Sequence, residues 1–139
     1  MKLCVVDCSF AMAWVFEDER TEVADALVQR TRERDAIVVP SVLWGLEVRN
    51  VLRNAVRRRR LTAGEADHRR RMLAELPRVT VACPSGLGDE IDQLIRAHNL
   101  TSYDAVYLAI AMELALPLAT TDEALAAAAA AAGVALYGG

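Results

Sequence analysis

Short apolar runs too brief for helices recur along this chain, each followed by a longer stretch with helical spacing. No other feature narrows the fold as far. Lys2–Val6, Ala36–Val39, Val79–Ala82 and Pro117–Ala119 read as strands, with Pro40 and Pro84 stopping the second and third. Val134–Leu136 reads as a last, shorter one. Strands that alternate with helices pair in parallel, because each crossover carries the chain back to the edge it started from. The expected fold class is α/β: a three-layer α/β/α sandwich around a central parallel sheet of about four to five short strands. No repeat or linker divides the 139 residues, so residues 1–139 are read as one domain.

The helical stretches carry their own start and stop signals. Ser9–Phe16 and Thr21–Arg34 have helical character, with the acidic turn Glu17-Asp18-Glu19 between them. Ser41 is the expected N-cap of a long helix through about Arg59, whose core stripe is Val48, Val51, Leu52 and Ala55. Thr62 followed by Glu65 predicts a capping box. Gly86 and Gly88 lead into a helix over Asp89–His98, and Thr101 caps one over Tyr103–Leu114. Asp122 opens an alanine-rich helix that reaches Ala132 and ends at Gly133, a residue suited to the left-handed position past a helix end.

Charge and cysteine content exclude some classes. A net charge of −3 argues against a generally basic nucleic-acid coat protein, although arginines crowd the stretch from Arg49 to Arg71. That stripe admits two readings: a surface that steers phosphate backbones, with Arg53, Arg57 and Arg60 as the candidate contacts, or a solvated helical face balanced by acids elsewhere. Three cysteines without a CxxC pair imply a reducing compartment, and Cys4 and Cys8 read as small buried filler. Neither a signal peptide nor a bilayer-length apolar stretch is evident, so the expectation is a cytoplasmic protein with no membrane association. His68 and His98 read as surface residues.

Four acids stand out by position. Asp7, Glu47, Asp104 and Asp122 are far apart in sequence, and each lies at the edge of an apolar segment. A carboxylate there is costly unless a partner compensates its charge. Asp7 and Asp122 follow strands directly, and open parallel sheets bind ligands beyond the carboxyl ends of their strands. Glu47 and Asp104 sit in the early turns of helices that can point at the same crevice. Taken singly, three of them also fit helix caps or the favourable end of a helix dipole. Glu47, inside its helix between Leu46 and Val48, fits that explanation least. Four converging carboxylates repel one another unless divalent cations lie between them, and oxygen-rich sites suit Mg²⁺ or Mn²⁺.

The segments VVDCSFAMAWVFEDE, SVLWGLEVRNVL, LTSYDAVYLAIA and PLATTDEAL resemble, in order and over nearly the whole chain, the four motifs of PIN-domain proteins, particularly VapC-type toxin ribonucleases. The resemblance implies a metal-dependent endoribonuclease, the toxin of a toxin-antitoxin pair. Asp7, Glu47, Asp104 and Asp122 fall on its acidic catalytic positions and would hold Mg²⁺ or Mn²⁺, with Asp7 and Asp104 taking the first ion. Ser9 and Thr120 match hydroxyls that orient those carboxylates. Implied partners are an RNA substrate, a cognate VapB-type antitoxin and a second copy of the chain. Trp14, Phe16 and Trp44 lie in segments suited to an apolar groove or dimer face, with core packing the other reading for Trp44. Cys8 departs from the family's usual alanine. The alternative is a PIN-like module that binds RNA or protein without cutting. The chain lacks a GxxxxGK[ST] phosphate loop, a second Asp at position 9 and any lysine beyond Lys2, which sets aside nucleotide-binding, dehalogenase-like and receiver folds.

Overall fold

The computed structural model describes residues 1–83 and 88–138. The chain runs β1 (Leu3–Val6), α1 (Cys8–Ala11), α2 (Glu22–Glu33), β2 (Ala36–Pro40), α3 (Leu43–Arg57), α4 (Ala63–Ala74), β3 (Arg78–Val81), α5 (Asp89–His98), α6 (Ser102–Leu114), β4 (Leu118–Ala119) and α7 (Glu123–Ala131). The four strands form one parallel sheet in the order β3-β2-β1-β4. This is the expected α/β architecture. From β1 the chain steps outward to β2 and β3, then crosses to the other side of β1 for β4. The sheet order therefore reverses between β1 and β4, which opens a crevice above their carboxyl ends.

Period-two alternation divides the apolar side chains between two cores. Cys4, Val6, Ile37 and Val39 pack under α2, α3 and α4 with Leu27, Trp44, Val48, Leu52 and Leu73. Val5, Val38 and Leu118 face the other way, onto Ile91, Leu94, Leu125 and α6. Seven consecutive residues of α6, Ala105 to Ala111, are buried, so this helix is enclosed on all sides rather than amphipathic. Its small residues allow the close approach that enclosure needs.

Several boundaries differ from the sequence expectation. Ser9–Phe16 is not one helix: α1 gives way to a 3₁₀ turn, Met12–Trp14, and a second 3₁₀ turn covers Glu17–Glu19. Ser41 does not cap α3. Val42 takes that position with φ 68° and ψ −54°, and the Leu43 amide donates to the Ser41 carbonyl at 2.8 Å, closing a γ-turn. The third strand begins one residue early, at Arg78, and Pro84 and Gly86 lie outside the described residues. Val134–Leu136 contributes a single bridge, Leu118 to Leu136, rather than a fifth strand. The Thr62–Glu65 capping box forms in full, Thr101 accepts from the Asp104 amide, and Gly133 sits past α7 at φ 77°. No helix among the described residues is long and apolar enough to cross a membrane.

Candidate functional site

The crevice at the β1–β4 reversal is a cleft of about 360 Å³ lined by Asp7, Ser9, Glu47, Asp104, Tyr107 and Asp122, together with Cys8, Met12, Asn50, Val51 and Tyr103. All four acids singled out in the sequence thus meet in one place. Among the described residues, no lysine, arginine or histidine lines it.

Asp7 extends β1 by one residue, its amide donating to the Ala119 carbonyl at 3.1 Å. The residue is almost fully buried, at 3% exposure. Oδ1 accepts from the Phe10 amide at 2.9 Å, and so caps α1. The Ser9 hydroxyl points at both carboxylate oxygens, at 2.8 and 2.9 Å, and Thr120 Oγ1 donates to Oδ2 at 2.6 Å. Those two hydroxyls are aimed by backbone donors from the loop after β4. The Thr121 amide donates to Ser9 Oγ at 3.1 Å and the Asp122 amide to Thr120 Oγ1 at 3.0 Å. With each hydroxyl oxygen receiving a proton, its own hydrogen turns to Asp7. Burial nevertheless pushes the Asp7 carboxyl above its ordinary range, and Asp122 pushes it further the same way.

Asp122 caps α7, its Oδ1 accepting from the Leu125 amide at 2.8 Å. Thr120 is thus not the cap of this helix; it serves Asp7. Asp104 lies in the first turn of α6, half-buried, and is shifted upward by burial, then by Asp122 and Asp7. Glu47 comes from the second turn of α3 and accepts a 2.7 Å hydrogen bond from the Tyr107 hydroxyl. Burial raises its pKa, with Asp104 and Asp7 adding to the effect. The cleft is therefore a cluster of like charges whose oxygens are hydrogen-bonded but not neutralised.

The donor set fits a hard cation: carboxylates and hydroxyls without soft or basic competitors. Cys8 is no rival ligand, since burial and then Glu47 and Asp7 push its thiol up to about 12. A thiol held protonated in this way also resists oxidation. Among the described residues, no three His, Cys, Asp or Glu side chains stand close enough to hold an ion jointly. That spacing still suits Mg²⁺, which keeps several of its waters and is commonly bound through one or two carboxylates.

Other side chains fall elsewhere. Trp44 is buried in the core beside Val48 and Leu52. Val51 packs half-buried against the core with the rest of the α3 stripe and also lines the cleft. Arg53 and Arg57 are exposed on α3, while Arg60 reaches Asp18 and Glu19 at 3.1 and 3.2 Å and lies 3.9 Å over the Phe16 ring. None of these three arginines lines the cleft. His68 is exposed and His98 half-buried, both away from it. Sequence reasoning missed Tyr107, Asn50 and Tyr103. The available signal was helical spacing: Asn50 lies three residues after Glu47, and Tyr103 lies beside Asp104 and four before Tyr107.

The family model of the PIN domain matches residues 4–131. The chain belongs to the PIN domain family. PIN domains are usually metal-dependent nucleases. The crystal structure of PAE2754 from Pyrobaculum aerophilum is similar to this PIN domain with a TM-score of 0.70 and 24% sequence identity, over 91% of this chain and 86% of that one. At that identity the likeness concerns the fold alone. No curated protein matches the chain.

Proposed function

We propose that this PIN domain is a Mg²⁺- or Mn²⁺-dependent endoribonuclease and the toxin of a VapBC-type pair. One observation carries the reading: four acids from four separate segments line a single cleft with no basic side chain among its described residues. A fold does not accumulate uncompensated like charge without cost, and functional sites are where such cost is retained. Mg²⁺ or Mn²⁺ held there supplies positive charge to a phosphodiester and acidifies water.

The side chains have distinct parts to play. Asp7 is the most rigid, held by Ser9, Thr120 and the Phe10 amide, and with Asp104 it is the expected first contact for the cation. Glu47 and Asp122 each commit one oxygen to a neighbour, Tyr107 or the Leu125 amide, and complete the site with the other. Tyr103, 59% exposed on the rim, offers an aromatic face to a base next to the scissile phosphate. Neutral contacts of this kind matter because the cleft itself repels a polyanion. Unstacked, single-stranded RNA is the form whose bases can reach such a face. Arg53 and Arg57 remain candidates for more distant phosphates, whereas Arg60 is held by Asp18 and Glu19.

The partners in this reading are a VapB-type antitoxin and a second copy of the chain. Trp14, Phe16 and Met72 line a separate groove of about 270 Å³ whose charged lining is Arg20, paired with Glu17 and Asp25, together with Arg32 and Arg69, a mixture suited to an amphipathic segment. Trp44 takes no part, being buried.

Cleavage of total cellular RNA by purified protein with Mg²⁺ or Mn²⁺, run beside EDTA and an Asp7→Asn variant, tests the proposal. Discrete cuts that vanish with EDTA and in the variant are expected. Folded protein, free of any partner, that cuts nothing would point instead to a PIN domain that binds without cleaving.

A further inference from the structure

Tyr107 heads the fully buried side chains by size, with 1% of its surface exposed, within the buried stretch Ala105 to Ala111 of α6, otherwise built from Ala, Val, Leu and Ile. A phenol in such surroundings needs a partner for its hydroxyl, since an unpaired one is costly to bury. Its partner is Glu47 Oε1 at 2.7 Å, sixty residues away and on a different helix. The phenol is the donor and the carboxylate the acceptor.

Two of the other acids find donors close by in sequence: Asp7 takes Ser9 and Phe10, besides Thr120 from the loop after β4, and Asp122 takes the Leu125 amide. Glu47 cannot do so, because every amide near it in the second turn of α3 is already spent within the helix. It also has the longest and most flexible of the four side chains, and both Asp104 and Asp7 repel it. Left to itself, it would swing to solvent.

We propose that Tyr107 is a positioning residue that pins one oxygen of Glu47 and thereby directs the other into the carboxylate cleft, setting its affinity for a divalent cation. This deepens the nuclease reading and rests on it. Nothing in the packing of α6 requires the hydroxyl: a phenylalanine would keep the apolar contacts. The hydroxyl is therefore separable from the ring.

Mn²⁺ titration calorimetry on wild type, Tyr107→Phe, Glu47→Gln and the double variant separates the possibilities. Tyr107→Phe should weaken Mn²⁺ binding about 10- to 100-fold, the range for partners that orient a metal ligand. In the Glu47→Gln background it should have no further effect, because the group it positions is already disabled. Tyr107→Phe that binds Mn²⁺ like wild type, or weakens it equally in both backgrounds, overturns the inference while leaving the nuclease reading intact. Wild-type protein that binds no Mn²⁺ overturns both. Glu47→Asp covers the case in which Tyr107→Phe fails to fold: it keeps the charge but is one methylene too short to reach Tyr107, so undiminished Mn²⁺ affinity in that variant also overturns the inference.

Discussion

Two aspartates are buried at opposite ends of the same sheet, and they are treated differently. Asp35, 7% exposed at the amino end of β2, accepts from the Lys2 amide at 2.9 Å and lines a cavity of about 420 Å³ together with Lys2 and Arg30. Asp7, 3% exposed at the carboxyl end of β1, accepts from Ser9, Phe10 and Thr120 but shares its cleft with three more acids and, among the described residues, no base. Hydrogen bonds satisfy the oxygens in both places. Of the two, only the cavity at Asp35 has basic residues, Lys2 and Arg30, in its described lining. Satisfying lone pairs and neutralising charge are separate tasks, and the cleft leaves the second to something outside the chain.

The sharpest way to break this contrast is to neutralise each aspartate in turn. Asp7→Asn should lower RNA cleavage by about 10²- to 10³-fold, whereas Asp35→Asn, remote from the cleft, should leave it within about twofold. Equal losses would mean that both act through stability. Tyr103→Ala should raise KM for RNA about tenfold with little change in kcat, as expected for one lost stacking contact. An unchanged KM would remove Tyr103 from the substrate path.

The smallest effects are on stability. Without metal at pH 7, Asp104→Asn should raise Tm by about 2–4 °C, because it removes a repelled charge. Saturating Mn²⁺ should then stabilise wild type more than the variant. The sign with pH follows from the upward shifts of Asp7, Glu47 and Asp104. Groups with raised folded pKa values bind protons more tightly in the fold than in the unfolded chain. Their penalty is full above the raised values and fades as pH falls through them toward the ordinary carboxylate range. The Tm advantage of Asp104→Asn should accordingly shrink as pH falls from 7 toward the ordinary carboxylate range. A constant gap would trace it to something other than charge.

What the sequence made legible was whatever is decided locally. Short continuous apolar runs, two of them stopped by proline, marked the strands, and Thr62 with Glu65, Thr101 and Asp122 marked helix starts, because a cap and its amide lie three residues apart. The four acids were legible as a set because each sits where a strand or helix meets the sheet's carboxyl edge. Features fixed by distant contacts stayed hidden. The Tyr107–Glu47 bond spans sixty residues, and Arg60 is captured by Asp18 and Glu19 over more than forty. Both depend on how α3 docks, which no local pattern encodes. Ser41 misled for a related reason: it has the chemistry of a cap, but the chain turns too tightly for it to serve.

That tight turn has a bearing on how the chain can vary. Val42 is β-branched, 73% exposed and held at φ 68°, a conformation that costs about 1–3 kcal/mol. It joins a strand whose register against β1 and β3 is fixed to a helix that must present Glu47 to the crevice. Each residue of an α-helix advances about 100° around the axis. Lengthening or shortening this joint by one residue would turn Glu47 by that angle, away from Tyr107 and the other three acids. The joint works as an indexing stop, and insertions tolerated in the loops elsewhere should be absent between Pro40 and Leu43.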